Sequence, residues 1–330
     1  MEPGDLGLST VAEALPPENP PPQQPARGGD LPAAGSLPPA PARRARPRLP
    51  AWLGMVPFFG YVAVFLLLPI GVVAVEAFRA TDPVTFQQSW STRSISQVTQ
   101  GAYGRAYLGS LELSVVAAVV AAVLGLALAV VVVSARRGRV LRRLVLTASG
   151  VLANFGGIPL AFAFLATIGN AGVVTALLQN TLGLGLGGFS LYSKVGLGLV
   201  YLYFLIPLMV LTIVPALEAL RPQWREAAEN LGASGWQYWR YVGGPVLAPP
   251  VLGATMLLFA SSFAAYATAK ALVGSSVPLV TLQIADALSS NVVVGSENLG
   301  KALALGMVLL IGVVMVFYAW VQRRTQRWLS

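Results

Sequence analysis

The stretch LSVVAAVVAAVLGLALAVVVVS, residues 113–134, decides the fold class of this chain. Its only polar side chains are two serines, and about 20 apolar residues in a row allow an α-helix to cross a bilayer. The whole chain of 330 residues has the same character, with 55% hydrophobic and 11% charged residues and a mean hydropathy of +0.69. This composition indicates an all-α, polytopic membrane protein.

Five further runs are long enough to cross a bilayer, which gives six predicted spans. The third run is interrupted by Gly156, Gly157 and Pro159, which can open or bend a helix. Outside the spans, the outer stretches 168–193 and 274–299 are each predicted to contain a short helix, the first lying at the outer interface. The six predicted spans are 51–78, 110–134, 144–168, 194–216, 250–273 and 300–321.

Basic residues gather at alternate ends of these spans. Cytoplasmic loops carry the excess of Lys and Arg, so both termini and the second and fourth loops are predicted to be cytoplasmic. The net charge of +9 therefore reflects membrane topology and not nucleic-acid binding. The residues are Arg43, Arg44, Arg46, Arg48, Arg136, Arg137, Arg139, Arg142, Arg143, Arg221, Arg225, Arg240, Arg323, Arg324 and Arg327.

The composition divides the chain into two parts. Residues 1–48 are rich in Pro, Ala and Gly and cannot bury an apolar face, so they are predicted to form a disordered cytoplasmic tail. Residues 49–330 are predicted to form one six-span domain in a plasma membrane.

Several kinds of chemistry are excluded by what the sequence lacks. It has neither Cys nor His, which removes disulfides, thiolate metal sites and the commonest general base. It also has no G-x-x-x-x-G-K-[ST] phosphate loop. We therefore predict no catalytic residue, no metal site and no cofactor bound by this chain.

The loop between the fourth and fifth spans, 217–249, is too polar to cross the membrane and too regular for a linker. PQWREAAENLG, residues 222–232, predicts a short helix that begins near Pro222 and ends at Gly232. SGWQYWRYV, residues 234–242, predicts a second helical stretch with bulky aromatic residues. Such a segment suits either a groove on a partner protein or the membrane surface.

The same loop carries a pattern with defined spacing. Glu226, Ala227 and Ala228 are followed after three residues by Gly232, and nine residues separate Gly232 from Val242. Pro245 then completes a pattern that resembles the EAA loop of the permease subunits of binding-protein-dependent ABC importers. Val242 replaces the usual Ile, and Gly244 stands where Leu is usual. With six spans and the pattern between the fourth and fifth, the resemblance covers about residues 50–330.

The resemblance implies a mechanism and a set of partners. The EAA loop would form a coupling helix seated in a groove of a separate ABC ATPase, which binds ATP and Mg. Glu226 would pair with a basic residue of that ATPase, and Ala227 and Ala228 would keep the helix slim. A second permease subunit, the same chain or a different one, and an extracytoplasmic solute-binding protein would complete the importer in a bacterial or archaeal membrane.

Polar residues within the spans are candidates for the substrate pathway, because polar groups in lipid are costly unless they serve a function or pair with one another. Lys270 is a weaker candidate, since it is expected to extend to the interface. The alternative for the others is hydrogen bonding between helices or to their own backbone. The four pathway candidates are Asn154, Ser261, Ser262 and Tyr266.

The solute is less defined than the class of protein. The fifth-span region resembles polyamine-, iron- and thiamine-type permeases more than sugar-type ones, so a polyamine-like or another small solute is predicted, with a sugar as the alternative. An ion-coupled secondary transporter would need an intramembrane acid or His. Here Glu76 and Glu112 lie near outer ends of spans.

Overall fold

The computed structural model describes residues 55–82, 85, 87–134, 139–182, 189–289 and 296–326. The predicted tail, 1–48, and its boundary lie outside the described residues. The helices are α1 (Val56–Ala77), α2 (Arg93–Val98), α3 (Gly101–Ser134), α4 (Arg139–Asn154), α5 (Gly157–Ile168), α6 (Val173–Leu182), α7 (Lys194–Glu218), α8 (Pro222–Asn230), α9 (Gly235–Phe263), α10 (Ala267–Val273), α11 (Val280–Ser289) and α12 (Ser296–Gln326).

Two short strands, β1 (Arg79–Thr81) and β2 (Gln88–Trp90), pair antiparallel between α1 and α2. The described chain is otherwise helical, as the composition predicted. The fold class is therefore confirmed.

Within the described ranges six helical segments are long and apolar enough to cross a membrane, which confirms the predicted count. The third differs from the prediction of one span at 144–168. The chain there forms α4 and α5, separated at residues 155–156, and the apolar segment runs Gly157–Thr181 and so includes α6. The short helix expected within 168–193 exists as α6, but it belongs to this segment.

Two other spans also have different boundaries. The second begins at Gly101 and not near 110, and the fifth begins at Gly235 and not near 250. Hydropathy marks only the part of a helix suited to lipid, while hydrogen bonding continues a helix into water. The fifth span ends at Phe263, and α10 is a separate helix after a three-residue break.

The centre of the domain is α7, which packs against α3, α4 and α9. Small residues on one face of α3, with Gly125 among them, let the two backbones approach closely. A Cβ built on Gly125 would lie 2.5 Å from the Cβ of Met209 on α7. The α3–α7 contact therefore depends on the absence of a side chain at this position.

The outermost helix is α1, whose apolar window has 0% buried residues, against 56% for α7. Its main packing partner is α12, the last of the described helices. Polar contacts fix this pair at one end. Glu76 Oε2 lies 3.3 Å from Lys301 Nζ, and Asn298 Nδ2 donates to Thr81 Oγ1 at 2.9 Å.

Candidate functional site

The helix α8 begins and ends as the sequence predicted. Pro222 occupies its first turn, where its missing N–H is no loss. At the other end Gly232 has φ +78° and its N–H donates to Glu229 O at 3.0 Å, while Ala233 N donates to Ala228 O at 2.9 Å. These two bonds form a Schellman motif, which requires a residue with positive φ after the helix.

The spacing of the sequence pattern thus has a local structural reason. Ala228 supplies the carbonyl that accepts the Schellman bond from Ala233, five residues later, and Gly232 lies four positions after Ala228 as the left-handed residue. The motif places Ala233 beside the last turn of α8, where a small residue fits the close contact. The pattern therefore fixes the shape of a short, sharply ended helix.

None of the residues of α8 is buried, although the helix lies between two long spans. Arg225 and Glu229 pair with each other across one turn, with Nε and Oε1 2.8 Å apart. Among the described residues no ion pair or side-chain hydrogen bond involves Glu226. The helix thus presents a free carboxylate, and exposed pairs such as Arg225–Glu229 contribute only about 0.3–0.5 kcal/mol to hold it.

The start of α9 continues this exposed surface. Ser234 and Gln237 form a capping box, in which each side chain bonds the other residue's backbone N–H. Trp236 is 73% exposed and Tyr241 is 70% exposed, whereas Tyr238 is buried against the domain. Two large aromatic side chains therefore lie uncovered next to α8, as expected for a docking surface.

The return to the membrane is a π-helical turn, Trp239–Gly243, within α9. Val242 is half-buried there, and Pro245 follows on the exposed side. A Cβ built on Gly244 would lie 2.6 Å from the Trp239 carbonyl oxygen. The π turn brings that oxygen close, which explains why this chain has glycine where the resemblance leads one to expect leucine.

Within the apolar segments, two interrupted helices meet. Gly157, with φ +73°, starts α5, and its N–H donates to Thr268 Oγ1 at 2.9 Å. Thr268 is buried on α10, and its hydroxyl also contacts the Gly157 carbonyl at 3.3 Å. The break between α4 and α5 is therefore joined to the start of α10.

The break after α9 is stabilised by a residue of another helix. Tyr201 on α7 donates its hydroxyl proton to Ala265 O at 3.1 Å, which satisfies a carbonyl that no longer has a helical partner. Sequence reasoning missed this break, because residues 264–266 contain neither Gly nor Pro.

The four predicted pathway residues lie on two parts of the chain, the end of α4 and the end of α9 with the break that follows it. Asn154 is exposed and donates to its own helix at Gly150 O, 2.9 Å away. Ser261 is half-buried, while Ser262 is buried and its hydroxyl lies 3.0 Å from Phe259 O and 3.4 Å from Ser114 O. Tyr266 lies in the break beyond α9, so it does not share a continuous helical face with Ser262. Their pathway role stays a prediction.

Ion pairs lie at the ends of the helices. Lys270, on α10, has its Nζ 2.7 Å from Asp286 Oδ1 on α11. The side chain that was expected to extend to the interface therefore has an ion-pair partner. Lys194 Nζ lies 2.8 Å from Glu112 Oε2, which joins α7 to α3. In the described part of the chain no group of three or more His, Cys, Asp or Glu side chains is placed to hold a metal ion.

Comparison with known proteins gives consistent results. The family described as the binding-protein-dependent transport system inner membrane component matches residues 121–327. The thiamine transport system permease protein ThiP of Salmonella typhimurium is 28% identical over 294 residues, 82% of this chain and 52% of that protein. The sulfate transport system permease protein CysT of Escherichia coli is 38% identical over 71 residues, 22% of this chain and 26% of that protein. The chain spans about half the length of the thiamine relatives.

A solved structure shares the fold. In the crystal structure of a bacterial ABC transporter involved in the import of the acidic polysaccharide alginate, one chain superposes with a TM-score of 0.63. The identity is 16%, and the superposition covers 83% of this chain and 94% of that chain.

Six apolar segments, α7 among them, with an exposed polar helix between the fourth and fifth, are the arrangement predicted for a transport component of a membrane. The chain belongs to the family of inner membrane components of binding-protein-dependent transport systems. The class predicted from the loop pattern is therefore confirmed.

Proposed function

We propose that this chain is the permease subunit of an ABC importer. It passes a solute that an external binding protein delivers, and ATP hydrolysis in partner subunits drives the passage. Family membership and two relatives named as transport permeases support this function.

The observation that carries the proposal is the exposure of α8. A nine-residue helix with no buried residue gains little stability from packing on its own domain, and a helix this short is marginal alone, so we infer that its exposed face serves a contact with a partner. In the proposed complex α8 is the coupling helix, seated in a groove of the ATPase. Glu226 faces a basic residue of that groove, and the Schellman end at Gly232 sets the angle between α8 and α9.

Because α9 runs without interruption from this loop into the membrane, a shift of α8 moves the fifth span as a lever. The lever changes the equilibrium between inward- and outward-facing states only if the ATPase contacts α8 differently in the two. Val242 and Pro245 lie at the base of this lever.

The remaining parts of the proposed importer lie outside this chain. They are two ATPase subunits that bind ATP and Mg, a second permease subunit and an extracytoplasmic binding protein. The binding protein is supported by a related structure, the alginate ABC transporter in complex with its periplasmic protein. Both termini of this chain are proposed to be cytoplasmic.

The proposed solute is small. Relatives named for thiamine and sulfate support this choice, and the polyamine-like solute indicated by the sequence stays a prediction. The candidates for contact with the solute are Asn154, Ser261, Ser262 and Tyr266.

The test is a charge reversal at α8. Glu226→Lys should lower the amount of ATPase that co-purifies with the tagged chain tenfold or more, a loss of about 1.4 kcal/mol in binding. Glu297→Lys, at the exposed start of α12, is the matched control with the same change of charge and should retain the ATPase. Full retention by the Glu226 variant would refute the coupling role.

A further inference from the structure

Two apolar cavities follow one another along α3 and α12. The first has a volume of about 850 Å³ and is closed on one side by α2, with Leu108 and Leu309 on its walls. The second has a volume of about 350 Å³ and is closed by α9, with Val115 and Val313 on its walls.

The linings of the two cavities adjoin on both helices, and the two together are called the groove. On α3 the lining passes from Leu108 to Leu111 within one helical turn, and on α12 it passes from Leu310 to Val314. The close packing of α12 is with α1, α2, α9 and α11, and the groove fills the space that separates it from α3. Tyr107 bridges this space near the start of α3, where its hydroxyl donates to the Leu303 carbonyl on α12.

A cation stands at the mouth of the groove. Arg105 lines the first cavity, and its Nε donates to Gly101 O of its own helix at 3.4 Å. Within the described ranges no carboxylate pairs with Arg105, although Glu76 and Glu112 near the same end are paired. The two terminal nitrogens of this guanidinium are therefore available to an external anion.

The length of the groove matches one leaflet of a bilayer. From Arg105 to Val119, the deepest lining residue on α3, the rise is about 21 Å at 1.5 Å per residue. Half of the hydrocarbon core is about 15 Å thick, so the groove reaches from the headgroup region to the middle of the membrane.

We propose that the groove between α3 and α12 binds one glycerophospholipid molecule, with its phosphate on Arg105 and an acyl chain along Leu108, Val115 and Val313. A guanidinium is suited to this contact, because its planar donors match a phosphate and it is weakly hydrated. Most of the lining residues below Arg105 are apolar, as an acyl chain requires.

The contact between the phosphate and Arg105 should hold the bound lipid more firmly than the lipids of the surrounding bilayer are held. An acyl chain gains little by leaving other lipid tails, which are as apolar as leucine. Retention therefore depends on Arg105 and on an unobstructed groove, and each can be changed separately.

The experiment is native mass spectrometry of the full chain, purified with its co-purifying subunits and supplied with phosphatidylglycerol or with diacylglycerol. We expect one retained phosphatidylglycerol per chain and no retained diacylglycerol, which lacks the phosphate. Arg105→Glu and Val115→Trp should each lower retention at least fivefold, the first by removing the cation and the second by filling the groove.

Two variants serve as matched controls. Arg93→Glu changes the same charge on α2, and Val123→Trp places the same ring on an exposed position of α3, and neither residue lines the groove. Both should retain the lipid. Equal retention in all four variants would overturn the proposal, as would retention of diacylglycerol or cross-linking of a partner subunit across the groove in the complex. The outcome is independent of the coupling role of α8.

Discussion

Replacement of Gly232 by alanine isolates the contribution of one backbone conformation to coupling. The residue has φ +78°, and a side chain in the left-handed region costs about 1–2 kcal/mol. No atom lies within 4 Å of a Cβ built at this position, so no steric contact adds to the cost. The penalty therefore acts on the turn alone.

The size of the effect follows from that penalty. If the turn relaxes to relieve 1–2 kcal/mol, the population that keeps the native angle between α8 and α9 falls about 5- to 30-fold. A β-branched residue such as valine is worse in this region, so Gly232→Val should exceed the alanine variant. Insertion and folding should be unchanged, because α8 has no buried residue.

The assay is titration of the detergent-solubilised chain with its purified ATPase subunits. We expect the apparent Kd to rise 5- to 30-fold for Gly232→Ala. Gly235→Ala is the matched control, because Gly235 lies in the first turn of α9 with open space around it and a negative φ. Equal affinities for the two variants would refute the role of the Schellman turn.

Two further predictions concern the membrane segments. Gly125→Leu should lower the melting temperature in detergent, because overpacking against Met209 costs about 1–3 kcal/mol. Gly71→Leu, in open space on α1, is the control and should leave the melting temperature unchanged. Equal melting temperatures for the two variants would contradict the tight α3–α7 contact. Thr268→Val should cost about 1–3 kcal/mol of stability, because it leaves the Gly157 N–H without its acceptor. Thr268→Ser keeps the hydroxyl and should keep the stability, as measured by thermal unfolding. A valine variant as stable as the native chain would show that the hydrogen bond between Gly157 and Thr268 is not needed.

The sequence was sufficient for features that depend on local composition. Apolar length predicted six membrane segments, and Gly156, Gly157 and Pro159 predicted the break in the third. The end of α8 at Gly232 was predictable as well, because a left-handed residue after a helix is a local requirement.

Features that depend on distant residues were not predictable. The break after Phe263 occurs among good helix formers and is supported by Tyr201 from another helix. For the same reason Ser262 and Tyr266, four residues apart in the sequence, do not share the face of one continuous helix. The pairing of Lys270 with Asp286 likewise depends on how α10 and α11 meet.

The packing of α1 against α12 has a consequence for biosynthesis. About 220 residues separate the end of α1 from the start of its main partner. At about 5–20 residues per second, the ribosome needs roughly 10–40 s to produce that length. During this interval α1 lies in lipid without α12, and Glu76 lacks its contact with Lys301. The packing of α1 is therefore completed only once α12 has been synthesised.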